Sequence, residues 1–337
     1  MVNLLYIGNK LKASNKNLTG IDTLGPLLED VVGPVFYASN KENKIYRLLH
    51  MVYACIHYRK RVRYVLIDTY STYNFYYALI ISLVCRVLGV NYIPILRGGN
   101  LPKRLGYNPY LSRLIFKHAH TNIAPSNYLK NVFERYGYSN LEYIPNTITL
   151  NDYPFKDRAI EDVQMLWVRS FSKLYNPKLA VRVLKRLKES GIKASLCMVG
   201  PDSGDGSLED TKQLAKALQV EVKFTGKLSK PEWIALSNDY NVFINTTNFD
   251  NMPVSVIEAM ALGLPIVSTK VGGMPFLIDH EKDGILVAPD DEQAFTEAIK
   301  GLMSNSERTN KMVLNAHQKV AAFDWNHIKT QWINVLK

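Results

Sequence analysis

Residues 245–278 read NTTNFDNMPVSVIEAMALGLPIVSTKVGGMPFLI. Just before and at the middle of this stretch, Val242-Phe243-Ile244 and Pro265-Ile266-Val267-Ser268-Thr269 are short apolar runs of strand type. Between them a helix is expected over 254–262, with Pro253 suited to the first helical position and Gly263 to the residue just past the end. Val254, Val256, Ile257, Ala259, Met260, Ala261 and Leu262 leave almost no polar face, so the helix should be buried on most sides. Glu258 is its one charge. A buried carboxylate is costly unless it is hydrogen-bonded, so either protein donors or a ligand must satisfy this one.

Asp250-Asn251-Met252 runs straight into the first turn of that helix, where unpaired N–H groups and the positive end of the dipole favour an anion. One short segment therefore supplies an acid (Asp250), an amide-lined turn (Asn251 and Met252 into Pro253, Val254 and Ser255, Pro itself giving no N–H) and a second acid (Glu258). Those groups would hold a sugar, a diphosphate and a ribose in a row. A strand-loop-helix-strand unit whose buried Glu is capped by protein donors would use the same residues structurally.

The D-x7-E spacing followed by AMALGLPIVSTKVGG resembles the E-x7-E signature of retaining, nucleotide-sugar-dependent glycosyltransferases of family 4. Asp250 stands where that signature has Glu, and Asn251-Met252-Pro253 replaces its Gly-Phe-Gly. The resemblance implies an α/β protein of two Rossmann-like domains facing a cleft, the GT-B fold.

Composition agrees with two soluble α/β domains. The chain has 337 residues, and single cores stop growing near ~250–300. Hydrophobic residues make up 47% and charged residues 21%. Cys55, Cys85 and Cys197 are scattered with no C-x-x-C, which argues against a disulfide framework or zinc site and points to a reducing cytosol. The opening residues read as a first strand, not a signal segment, and the most apolar run, 75–90, is interrupted by Ser82 and Arg86. It falls short of the ~20 residues needed to span a bilayer.

Charge is unevenly placed. Residues 1–150 hold 18 Lys+Arg against 7 Asp+Glu, a net +11, while residues 151–337 hold 23 of each. An anionic partner met by the N-terminal half alone is the implication, unless the face is simply solvated. An amphipathic helix is expected over 44–63, with Ile45, Leu48, Leu49, Val52 and Tyr53 apolar and Arg59-Lys60-Arg61-Val62-Arg63 at its end. Aromatic and basic residues together suit an anionic membrane surface. Nucleic acid is disfavoured, since no RNP, helix-turn-helix or zinc signature is present. A dinucleotide oxidoreductase is disfavoured because no G-x-G-x-x-G follows a strand.

The resemblance extends along most of the chain and assigns further residues. On the acceptor side it implies Gly20, in the place of a Gly-rich loop, and Arg97-Gly98-Gly99 after the strand 92–96. Arg97 occupies the place of the family's His, and as a cation it could bind a diphosphate or an anionic acceptor. The i,i+2 pair His118 and His120, with no nearby acid, reads as packing or surface. Tyr143-Ile144-Pro145-Asn146-Thr147 resembles the segment closing the first domain, taken as 1–150, with a polar linker over 151–161 and a second domain over 162–322. Arg169 and Lys173 resemble the pair of cations that neutralise the leaving diphosphate. Gly200, and Thr225-Gly226-Lys227, resemble the turns that border the nucleotide. A terminal helix over 323–337 should return to the first domain.

The expected activity is transfer of a hexose-type sugar from a nucleoside-diphosphate sugar to a glycan or lipid-linked saccharide, with retention and without a cofactor or metal. Arg169, Lys173, Asp250 and Glu258 would carry it, in the cytoplasm or peripherally on the inner face of the membrane. The alternatives are a catalytically weak sugar-nucleotide-binding protein and a basic nucleic-acid-binding protein.

Overall fold

A computed structural model describes residues 2–11 and 19–337, so part of the polar loop expected over 8–20 lies outside the described residues. The chain forms two compact units, one of Met1–Asn146 with Asn326–Lys337 and one of Thr147–Trp325.

In the first unit strands and helices alternate: β1 (Leu4–Ile7), α1 (Gly20–Val32), β2 (Val35–Ala38), α2 (Lys44–Tyr58), β3 (Tyr64–Thr69), α3 (Asn74–Leu88), β4 (Asn91–Leu96), α4 (Leu101–Tyr107), α5 (Pro109–Phe116), β5 (Asn122–Ala124), α6 (Asn127–Arg135) and β6 (Leu141–Tyr143). The six strands pair in the order β2-β1-β3-β4-β5-β6, every pairing parallel. β1 and β3 are buried along their whole length, which is why VLID and LLYI read as continuous apolar runs.

The second unit repeats the scheme: β7 (Val163–Val168), α7 (Pro177–Glu189), β8 (Ala194–Val199), α8 (Ser207–Ala217), β9 (Lys223–Gly226), α9 (Lys230–Leu236), β10 (Val242–Asn245), α10 (Val254–Ala261), β11 (Ile266–Thr269), α11 (Met274–Leu277), β12 (Ile285–Val287), α12 (Glu292–Ser304) and α13 (Ser306–Val320). α14 (Trp325–Leu336) then returns the chain to the first unit. Its sheet order is β12-β11-β10-β7-β8-β9, again parallel throughout. Counted within the unit this is 3-2-1-4-5-6, the dinucleotide-binding order, with the reversal between β7 and β10.

Three expectations are corrected. The units divide at Asn146 and Thr147, ahead of the linker expected over 151–161, because Ile148 is already paired into the second unit. Its N–H donates to the Phe323 carbonyl and its carbonyl accepts from Trp325, so the outgoing and returning strands of chain run side by side. Pro253 is the N-cap of α10, not its first helical residue, with extended φ −69° and ψ 121°. Finally α2 stops at Tyr58, five residues early, and turns much of its expected apolar face outward. Among the described residues no helix is long and apolar enough to cross a membrane.

Candidate functional site

In open parallel sheets ligands sit beyond the C-terminal strand ends, where the strand order reverses. In the second unit that point lies between Arg169, just after β7, and Asp250, in the loop after β10. The two side chains form an ion pair, each 16% exposed. Tyr175 lies under the guanidinium, 4.5 Å from its centre to the ring centroid. Burial pushes the Arg169 guanidinium down while Tyr175 and Glu258 push it back up, and an arginine stays cationic in such a setting. Its Nε–H is buried with no hydrogen-bond partner among the described residues.

The loops that carry this pair are stitched together by their backbones. Asn248 N–H donates to the Leu174 carbonyl at 2.8 Å, and the Asn248 amide to the Lys173 carbonyl at 3.1 Å. Under them the indole N–H of the fully buried Trp167 donates to Thr246 Oγ1 at 3.0 Å. On the other side Gly273 N–H donates to the Asp250 carbonyl at 2.9 Å. A Cβ at Gly272 would overlap that same carbonyl oxygen, and one at Gly273 the Asn251 carbonyl oxygen. The paired glycines after β11 are therefore what lets that turn press against the Asp250 loop.

α10 follows at once. Asn251 and Met252 are buried, at 5% and 6% exposure. Pro253 accepts through its carbonyl from Val256 and Ile257, which leaves the N–H groups of Val254 and Ser255 without partners among the described residues. Ser255 Oγ is likewise buried and unpartnered. One turn on, Glu258 is 3% exposed. Its Oε1 accepts from Tyr153 Oη at 2.8 Å and forms an ion pair with Lys230. Burial first, and the Glu258 charge second, raise the Tyr153 hydroxyl far above its usual range, so it remains a donor.

Gly200 and Gly226 complete the strand ends on this side. Gly200 (φ +152°) has no room for a side chain, since a Cβ would overlap the Arg169 carbonyl oxygen. Its N–H donates to the Gly226 carbonyl at 2.8 Å. Gly226 faces open space but has φ +71°, which favours glycine. Thr225 Oγ1 donates to that carbonyl at 2.9 Å, and Lys227 is the exposed residue that follows.

The second expected cation stands apart. Lys173 points its side chain into solvent, and its backbone N–H caps Asp205 at 2.8 Å. Burial raises Asp205, but hydrogen bonds from Ser207, Lys173 and Ser172 outweigh it and hold the carboxyl well below the usual range. The amine that meets Glu258 is Lys230, at the start of α9, which the sequence reading missed together with Tyr153. Neither has a local signal: their common partner lies 28 and 105 residues further along the chain.

The residues expected on the acceptor side gather in the first unit, around the C-terminal end of β4 and the start of α1. Arg97 donates through Nε to Asp68 at 3.0 Å, through Nη1 to Asn146 Oδ1 at 2.9 Å and through Nη2 to Tyr6 Oη at 3.2 Å. Burial alone would lower it, yet Tyr6 and Asp68 raise it further. A Cβ on Gly20 would lie 2.6 Å from this guanidinium, so Gly20 is small because Arg97 packs on it. Gly98 crowds the Ser71 N–H, where a Cβ would sit at 2.7 Å. Gly99 lies in the turn that opens α4. Arg97 thus spends three of its five N–H groups inside its own unit.

A doubled, all-parallel fold of this kind is the GT-B architecture of glycosyltransferases. The Anabaena protein Alr3699/HepE, solved in complex with UDP and glucose, shares it over 100% of this chain and 99% of its own, with a TM-score of 0.80 at 16% identity. Residues 153–319, just under half of the chain, match the family model for glycosyl transferases group 1. Among curated relatives, the D-inositol 3-phosphate glycosyltransferase of Corynebacterium urealyticum is 26% identical over 163 residues, 47% of this chain and 38% of that protein. An alpha-1,4-N-acetyl-D-galactosaminyltransferase of Campylobacter jejuni, named for a saccharide on PP-undecaprenol, is 27% identical over 136 residues, 40% of this chain and 37% of that protein. The matched part is thus well under half of either relative's length.

Proposed function

We propose that this protein moves a hexose-type sugar from a nucleoside-diphosphate sugar to a saccharide acceptor, with retention at the anomeric carbon and without a required metal, as a family 4 glycosyltransferase. The observation that carries the reading is the set of unused donors at the strand reversal. Among the described residues, Arg169 Nε–H after β7 and Ser255 Oγ in the first turn of α10 are buried without partners, and the N–H groups of Val254 and Ser255 are unpaired. Buried polar groups are hydrogen-bonded in all but a few cases, so orphaned donors on the loops after β7 and β10 suit an oxygen-rich anion.

On this reading Arg169 and the α10 amides take the diphosphate, and Glu258, backed by Lys230 and Tyr153, accepts from ribose hydroxyls. Asp250 holds the sugar through a hydroxyl while it orients Arg169. Loss of the nucleoside diphosphate builds negative charge on its terminal phosphate, and a preorganised guanidinium and helix amides stabilise that charge without reorganising. Stabilisation of the leaving group carries the reaction, and no protein nucleophile is invoked. Lys173 and Lys227, both exposed, remain candidates for closing over a bound donor.

The acceptor is proposed to be a glycan or lipid-linked saccharide, supported by the named acceptor of the Campylobacter jejuni relative. The protein is placed in the cytoplasm, with its basic N-terminal half at the inner face of the membrane; the +11 carried by residues 1–150 supports this. A sugar-nucleotide-binding protein without turnover is the second reading, favoured by the engagement of Arg97 with Asp68, Asn146 and Tyr6. Calorimetry with UDP- and GDP-sugars decides on the donor site: Glu258→Ala should abolish binding while circular dichroism stays native, and undiminished affinity refutes the assignment. Release of nucleotide from the labelled sugars separates turnover from binding alone.

A further inference from the structure

α2 is mounted the unexpected way round. Its buried side holds Met51, Ala54 and Cys55 together with an arginine. Arg47 is only 7% exposed and donates to the Lys41 and Glu42 carbonyls at 2.7 and 2.8 Å and to Asn9 at 3.3 Å. The side turned away from the sheet carries Ile45, Leu49, Tyr53 and Ile56, exposed by 71%, 58%, 61% and 45%. At 100° per residue these four fall within one quadrant of the helix. α3 packs beside α2, and Tyr73 at its N-cap and Val87 near its end are exposed as well. The two helix starts are tied by Tyr77 Oη donating to the Lys44 carbonyl at 3.1 Å and by the Lys44 amine over the Tyr73 ring at 4.8 Å.

Directly after α2 come Arg59, Lys60, Arg61 and Arg63, all exposed, and none forms an ion pair among the described residues. Their backbone is pinned to the first strand's approach, with Arg63 N–H donating to the Asn3 carbonyl and the Asn3 amide to the Arg61 carbonyl, both at 3.0 Å.

We infer that the outer face of α2, with this cationic segment at its end, docks on an anionic lipid bilayer. The inference deepens the proposed placement at the membrane and rests on that reading for its partner. Aliphatic and tyrosine side chains enter the boundary between headgroups and acyl chains, while guanidinium and ammonium groups meet anionic headgroups. Charge selects among occupants. A second copy of the same face would set two strongly basic surfaces against each other. A nucleic acid would match the cations but leave the isoleucine, leucine and tyrosine side chains unused. A bilayer satisfies both halves of the surface. An acceptor borne on a lipid would then be presented to the enzyme by the surface on which it rests.

Flotation of the full chain with phosphatidylcholine vesicles, with and without phosphatidylglycerol, tests the surface. The protein should float with the anionic vesicles and remain largely unbound with phosphatidylcholine alone. Replacing Arg59, Lys60, Arg61 and Arg63 together by Ala should weaken binding by about 100-fold or more. The pair Ile45→Ser and Leu49→Ser should weaken it by about tenfold or more. Thermal melting should be unchanged in both, since the altered side chains are exposed. Nucleotide release from a donor sugar in vesicle-free buffer should also match the parent protein, so failure of the donor site and failure of the docking surface are read separately. Equal flotation with both vesicle types, variants that float like the parent, or a concentration-dependent dimer in place of vesicle binding would each overturn the inference.

Discussion

At the scale of single residues, Arg169 and Glu258 show how differently two charges in one unit are held. Arg169 keeps one anionic partner, Asp250, and an unused buried N–H. Glu258 is met by Tyr153 and Lys230. On the proposed function, the first arrangement suits a charge that grows during reaction and the second a ligand that exchanges hydrogen bonds with groups already in place. Arg169→Ala should therefore lower kcat/KM by about 100- to 1000-fold, chiefly through kcat, as steady-state kinetics would show. Equal losses in kcat and in donor affinity would mean that it grips ground state and transition state alike. Asp250 and Glu258 could be singled out from one D-x7-E stretch, and Arg169 through the resemblance alone; that Arg169 meets Asp250 is seen only in the fold. Lys230 and Tyr153 were not legible, because a lysine after a capping serine and a tyrosine in a polar stretch look like any others until the fold brings them to one carboxylate.

At the scale of elements, glycines set how closely the loops approach. Gly200 has φ +152° and the Arg169 carbonyl where a side chain would begin, whereas Gly204 has φ +79° and open space around it. Gly200→Ala should displace the end of β7, cost about 3 kcal/mol or more and weaken donor binding together with it. Gly204→Ala should cost only about 1 kcal/mol, the left-handed backbone penalty. Urea unfolding of the two variants checks the contrast. The glycines were visible in the sequence, but which were conformational and which steric was not, since that depends on a carbonyl from another strand. α10 was legible almost to the residue, bracketed by Pro253 and Gly263. α2 was legible as a helix but not in its rotation. Amphipathic spacing identifies a face without saying whether the sheet or an outside partner covers it, and here Arg47, tied down by three acceptors, took the inner side.

At the scale of the whole molecule, the chain crosses between units twice, and the crossings pair at Ile148 with Phe323 and Trp325. α14 then completes the first unit with Ile328, Trp332 and Leu336, spaced four apart and between 0% and 2% exposed. A unit closed by the far end of the chain should depend on that helix. Trp332→Ala should destabilise by about 3–5 kcal/mol through the cavity it leaves, with the loss appearing in unfolding of the first unit, followed by hydrogen exchange on peptides from β1 and β3.

The amino-acid sequence by itself determined what is local and periodic: the alternation of strands and helices, two rounds of it, the burial of α10, and the acids of the D-x7-E stretch at its two ends. Tertiary structure alone decided the order of strands in each sheet, the pairing of Arg169 with Asp250, the donors on Glu258, the enclosure of Arg97 and the outward face of α2. The division has a physical cause. Helix and strand periods are written in neighbouring residues, whereas an ion pair or a buried face is set by which segments the sheet order places side by side.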